Sequence, residues 1–177
     1  MIEQDLQLVR ETSPILKTVM EEFDFANPPV DPVELAEKLV AEMVRLRGIG
    51  LSANQVGLPY RVFVMNTTPA VACFNPLLVD AGDELALLDE GCLSYPGLSV
   101  RIKRPKNIKV RFTLPNGDVQ TQKFTGITAR VFLHEMDHMN GMDFISRAGP
   151  MAKQQAFAKW KKLSKLRDLR TKMGIKR

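Results

Sequence analysis

His134, Glu135 and His138 stand in the run His134-Glu135-Met136-Asp137-His138. Two imidazoles four residues apart on a helix lie one above the other on a single face, so both can reach one metal ion while the glutamate between them faces a bound water. They are the only two histidines of the chain. A tetrahedral ion held by two imidazoles needs another protein ligand and an open position. The carboxylates of Asp137, Glu90 and Asp143 and the thiol of Cys92 are the candidates. Cys92 lies in Glu90-Gly91-Cys92-Leu93-Ser94, a glycine-flanked turn that could approach the helix closely, and a Cys-His-His set with one water is the simplest complete site. Asp137 points off the ligand face and is better placed to fix a histidine or the helix end. Such a site is hydrolytic: the ion acidifies its water, and Glu135 accepts the proton and returns it to a leaving nitrogen. Gln55 and the backbone amide after Cys92 are the natural donors to the developing alkoxide.

These residues must be carried by an ordered frame. Thr125 is a possible cap, Ile127, Val131, His134 and His138 follow at spacings 4, 3 and 4, and Asn140-Gly141 supplies a stop. The histidines thus continue an apolar stripe that faces the core, with Met136 and Met139 as core filler. Upstream, Gly48-Ile49-Gly50-Leu51-Ser52-Ala53-Asn54-Gln55-Val56-Gly57 permits a bend and a close backbone approach, but it lacks the glycine spacing of a dinucleotide site and the Lys-Ser/Thr of a phosphate loop. Asp31-Pro32-x-Glu34 starts a helix over 32–46, which Gly48 closes. Strands are expected at 61–65, 74–79, 85–88, 99–102, 108–114 and 119–124, with a loop at 80–83, a hairpin turn at Pro115-Asn116-Gly117-Asp118 and a small strand at Phe144-Ile145. The expected class is α+β: antiparallel strands packed around a central metal-binding helix, with an N-terminal and a C-terminal helix.

The 177 residues fit one domain, 45% apolar and 25% charged. The net charge of +5 is unevenly placed: residues 151–177 carry ten Lys or Arg against one Asp. That segment reads as a basic amphipathic helix belonging to the same domain as the catalytic part, 1–150, with Ala156, Trp160, Leu163, Leu166, Leu169 and Met173 on its apolar side. The basicity belongs to the tail, so it is no whole-protein nucleic-acid signature and no specific DNA partner is expected. Two cysteines do not make a disulfide framework. Without an apolar run of membrane-spanning length or a signal-like start, a cytoplasmic setting is the expectation, and no membrane partner.

Together, Gly48 to Gln55, Glu90-Gly91-Cys92-Leu93-Ser94 and His134-Glu135-Met136-Asp137-His138 resemble, in order and spacing, the three signature motifs of the peptide deformylase family. The resemblance implies that Cys92, His134 and His138 bind one divalent metal, natively Fe²⁺ with Zn²⁺ or Ni²⁺ as substitutes. It implies Glu135 as general acid/base, Gln55 and the Leu93 amide as oxyanion donors, and Ile49, Gly50, Gly91 and Val131 as substrate contacts. The reaction implied is release of formate from formyl-Met nascent peptides in a bacterium, a phage-infected bacterium or an organelle. The basic helix would then dock on the ribosome. Two positions depart from the family pattern: Leu133, commonly glutamine, and Arg130, where an apolar pocket residue is expected. A zinc peptidase with a downstream third ligand such as Asp143, and a metal-stabilised binding module, are the alternatives.

Overall fold

The computed structural model describes residues 6–172, with backbone alone at 164, 167, 168 and 170–172; Met173, expected on the apolar side of the last helix, and the side chain of Arg170 lie outside the described residues. Helix α1 (Pro32–Arg45) begins as its sequence dictates: the Asp31 carboxylate accepts from the Glu34 N–H at 2.8 Å, and Pro32 occupies a position whose N–H has no helical partner. Leu35, Leu39 and Met43 are fully buried. The helix end differs from expectation. The left-handed residue is Arg47 (φ 57°), and Gly48 follows it. Gly48 still donates to the Met43 carbonyl at 2.8 Å, but its bare Cα serves another purpose, since a Cβ there would stand 2.9 Å from Leu93 Cδ1.

Five strands form one antiparallel sheet in the order β1-β2-β3-β6-β7, with β1 Gly50–Ser52, β2 Val62–Met65, β3 Val71–Ala81, β6 Asn107–Thr113 and β7 Val119–Thr125; a separate hairpin pairs β4 Leu85–Gly91 with β5 Ser99–Pro105. The expected loop at 80–83 is in part strand, because β3 runs to Ala81 and absorbs Asn75-Pro76 through register shifts. Asn75 takes φ 48° there, and its amide bonds both the N–H and the carbonyl of Phe23, at 2.7 and 2.9 Å. One side chain thereby ties the N-terminal segment to β3, the middle strand of the sheet. β5 continues past Ile102 to Pro105 with Val100, Ile102 and Arg104 all inward.

Helix α2 (Gly126–Met139) crosses the sheet. Thr125 sits at its N-cap without a side-chain cap bond, and the chain turns in through Gly126 at φ 58°, so the expected threonine cap is replaced by a glycine turn. Every residue from Ala129 to Met139 is buried. The expected single stripe is therefore too narrow a description, and the polar members of the helix are buried because each finds a partner. Met136 and Met139 pack in the core with Phe63, Phe112 and Phe132. The end is as expected, with Gly141 at φ 65° beyond Asn140. Phe144–Arg147 is a 3-10 turn capped by Asp143, which accepts from the Ser146 N–H at 2.9 Å, and not a small strand.

Helix α3 (Pro150–Lys172) docks by its first half. Ala152, Ala156, Phe157 and Trp160 pack against Tyr95, Leu98, Val100, Ile102 and Phe144, and the Trp160 indole N–H donates to the Pro96 carbonyl at 3.1 Å. Leu163, Leu166 and Leu169, expected to continue the packed side, are 40%, 48% and 55% exposed. No helix among the described residues is long and apolar enough to cross a membrane.

Candidate active site

The two histidines of α2 and the cysteine that follows β4 converge. Cys92 Sγ and one nitrogen each of His134 and His138 lie within 4.8 Å of one another, the only such group of three among the described residues. His138 Nε2 is 3.3 Å from Cys92 Sγ. Metal–sulfur bonds of about 2.3 Å and metal–nitrogen bonds of about 2.0 Å at tetrahedral angles put donor atoms roughly 3.3–3.5 Å apart. The Cys92–His138 separation already matches, and closing the rest of the 4.8 Å group on an ion takes a modest inward shift. The chemistry of the donors agrees, one soft thiolate with two imidazoles. Of the carboxylates weighed as ligands, none joins the group.

Glu90 instead orients His134. His134 Nδ1 hydrogen-bonds Glu90 Oε2 at 3.1 Å, which turns Nε2 toward the cysteine and leaves it for a metal. Glu90 is in turn held by Arg104 (Nε to Oε1 2.7 Å, Nη2 to Oε2 2.9 Å) and by Arg130 (Nη1 to Oε1 2.5 Å). Of the two expected roles for Asp137, a histidine partner or a support for the helix end, its bonds favour the second, for Arg147 follows the end of α2. Asp137 accepts from Arg104 Nη1 at 2.9 Å and from Arg147 Nη2 at 2.6 Å. A chain of alternating charge thus runs Arg130, Glu90, Arg104, Asp137, Arg147 along the helix, buried except for the exposed Arg147 at its end. His138 Nδ1 is buried with no hydrogen-bond partner among the described residues.

Burial lowers the proton affinity of His134, but its hydrogen bonds to Cys92 and Glu90, with the charge of Glu135, outweigh burial and push its pKa up to about 10. The nest therefore favours a positive charge at its centre, which a metal cation supplies. Burial acts first on Glu135 too, raising its pKa against the opposing charge of His134 and a hydrogen bond from Ser52. A raised carboxyl is a better proton acceptor near neutrality.

Glu135 is seated on β1. Its Oε2 accepts from Ser52 Oγ at 2.8 Å. A Cβ at Gly50 would run into its Oε1 and come within 2.9 Å of Val131 Cγ1, so glycine is what lets the strand and helix approach. Gln55 accepts from the Ser52 N–H at 2.9 Å, which assigns its amide unambiguously because that partner can only donate. Its Nε2 consequently points to Cys92 Sγ (3.3 Å) and Ser94 Oγ (3.0 Å).

A cavity of about 470 Å³ opens over these groups, and Ile49, Gly50, Gln55, Gly91, Cys92, Leu93, Val131, His134 and Glu135 all line it. His138 lies beneath, outside the lining. Arg130 reaches the wall, but Glu90 and the carbonyls of Ala86 (2.7 Å) and Ile102 (3.1 Å) take up its guanidinium. Its charge faces inward, which explains how it stands at an apolar pocket. Leu133 packs in the core, and its carbonyl accepts from Arg104 at 3.3 Å. Asp143 is engaged by Lys17 and the Ser146 N–H. Ser52 and Arg104 escaped the sequence reading. The inward register of 100, 102 and 104 carries the signal for Arg104; the signal for Ser52 is the Ser52-x-x-Gln55 capping-box spacing, which the structure realises.

The polypeptide deformylase family profile matches residues 6–154. The peptide deformylase of Thermotoga neapolitana is 41% identical over 115 residues, covering 64% of this chain and 70% of that protein. That of Mesorhizobium japonicum is 32% identical and covers 86% of this chain and 89% of its own. The crystal structure of a plant peptide deformylase superposes with a TM-score of 0.84 at 29% identity, covering 98% of this chain and 96% of that one.

Proposed function

This chain belongs to the polypeptide deformylase family, and from that premise we propose which of its residues carry the reaction. It is a metal-dependent hydrolase that removes the formyl group from formylmethionyl peptides and releases formate. The carrying observation is the gathering of Cys92, His134 and His138 donors within 4.8 Å, beside a buried glutamate. In our reading these three hold one divalent ion, Fe²⁺ as the family resemblance implies, with Zn²⁺ or Ni²⁺ as substitutes; the thiolate-imidazole set suits iron or zinc better than magnesium. When bound, that ion supplies Lewis acidity to water and to the formyl oxygen.

The remaining steps fall to the chain. Glu135 takes the proton of the attacking water at its carboxylate and gives it to the leaving amide nitrogen. Gln55 Nε2 and the Leu93 N–H donate to the oxygen as negative charge develops on it. The backbone at Gly50 and Gly91 holds the peptide, and Ile49 with Val131 walls the methionine side chain. The asymmetric basic charge of α3 supports docking on the ribosome, where nascent peptides emerge, and the setting that goes with it is the cytoplasm. The peptidase alternative finds no support, since Asp143 is occupied by Lys17 and Ser146. The test is formate release from a formyl-Met peptide by anaerobically purified protein, with metal measured on the same sample. Absence of formate from metal-replete protein rejects the reading.

A further inference from the structure

Ser52 is fully buried at the end of β1, paired across to Phe63 in β2. Its hydroxyl lies 2.8 Å from Glu135 Oε2 and 3.1 Å from Gln55 Oε1, and its backbone N–H lies 2.9 Å from the same Gln55 oxygen. A hydroxyl has one proton to donate. The shorter contact directs it to Glu135. Gln55 keeps its orientation through the backbone N–H, which every residue but proline possesses. The Ser52 backbone thus holds the Gln55 amide, while its hydroxyl reaches Glu135 and also takes part in the capping box over Ala53–Val56, so a double-mutant cycle must separate the two.

A carboxylate needs such a hold here. The terminal torsion of a glutamate is broad and roughly two-fold, and the Oε1 of Glu135 abuts the bare Cα of Gly50, a contact that limits approach without fixing an angle. We propose that the Ser52 hydroxyl is a positioning residue that locks the Glu135 carboxylate in its productive orientation, acting on the reaction only through Glu135. This rests on the deformylase reading above, in which Glu135 moves the proton.

A double-mutant cycle tests it with Ser52→Ala, Glu135→Gln and the pair, on the metal-loaded full chain with a formyl-Met peptide, measuring kcat, KM and bound metal. Misplacing a reacting group by about 1 Å can cost 10²-fold, and a carboxylate loosened without being displaced should cost about 10-fold. The expected result is that kcat loss for Ser52→Ala in the parent, KM within twofold and metal unchanged, but less than a twofold further loss in the Glu135→Gln background. An equal loss in both backgrounds, no loss in the parent, or an effect confined to KM or metal content overturns the proposal while leaving the deformylase reading intact. Unchanged kcat for Glu135→Gln alone rejects that reading instead. Should Ser52→Ala not fold, Ser52→Cys, nearly equal in volume and a weak donor, goes through the same cycle with the same outcomes.

Discussion

Arg104 grips Glu90 at two points, Nε to Oε1 at 2.7 Å and Nη2 to Oε2 at 2.9 Å, with both side chains only 5% exposed. This pairing stands directly behind a ligand histidine, so it bears on folding and on metal affinity together. Glu90→Gln leaves two guanidinium groups, Arg104 and Arg130, short of their buried counter-charge. Breaking a buried pair costs about 3–5 kcal/mol, and losing the partner behind a metal-bound imidazole costs about 10- to 100-fold in affinity. Urea unfolding and competition with a chelator measure the two losses. A variant as stable as the parent would show that the pair carries no net weight.

The same carboxylate sets an acid dependence. Burial raises the Glu90 pKa, yet hydrogen bonds and charge from His134 and Arg104 overcome burial and hold it at about 2 against an ordinary 4.5. A group with a lowered folded-state pKa stabilises the fold above its unfolded value and loses that contribution as pH falls through the folded value. The parent should therefore lose stability between about pH 4.5 and 2, beyond what its exposed carboxylates lose. Glu90→Gln should lack that component of the slope, as read from unfolding free energies across the range.

Cys92 and Glu135 should separate as ligand and base. Cys92→Ala should lose most of its metal and with it the activity. Glu135→Ala should keep metal while kcat falls by roughly 10²-fold or more. Metal analysis and turnover on the same samples distinguish the two, and an iron-loaded parent should also lose activity in air.

Gly50→Ala places a methyl group where Glu135 and Val131 already stand. The carboxylate must then move, so kcat should drop by at least about 10-fold while Cys92, His134 and His138 continue to bind metal. Normal turnover in this variant would mean that the strand can retreat from the helix at no cost.

Removing the charge of Lys159, Lys161, Lys162 and Lys165 with glutamine leaves Trp160 and Phe157 in place on the 95–98 loop. Sedimentation with ribosomes at low salt should fall, while hydrolysis of a short formyl-Met peptide changes little. Truncating all of α3 is a different experiment, because its first half closes the cluster that contains Phe144 and, through it, the 5.4 Å ring contact with His134.

The frame of the site was legible where local rules act alone. Asp31-Pro32 starts α1 and Asn140-Gly141 ends α2 because capping and left-handed glycine turns are decided within a few residues. The gathering of Cys92, His134 and His138 was legible because their spacing and motif context carry chemistry. What escaped depends on distant partners. β5 looked finished at Ile102 since the next inward residue is Arg104, and an inward arginine makes sense only once Glu90 and Asp137 are known to face it. Arg47 takes the left-handed turn at the end of α1, and Gly48 follows it. Asp137, read as a support for a histidine or the helix end, is drawn from the first by two arginines of other elements.

The chain of charge from Arg130 through Glu90, Arg104 and Asp137 to Arg147 also constrains inheritance. A typical fold has only about 5–15 kcal/mol of stability in hand, and a single charge-removing change at Glu90, Arg104 or Asp137 strands a buried partner. Lineages should therefore find few viable single steps away from this set, so these positions should drift jointly or not at all. By the same reasoning, grafting the three signature motifs, which already carry Glu90 and Asp137, onto another scaffold should fail to give a tight site unless Arg104, Arg130 and Arg147 travel with them.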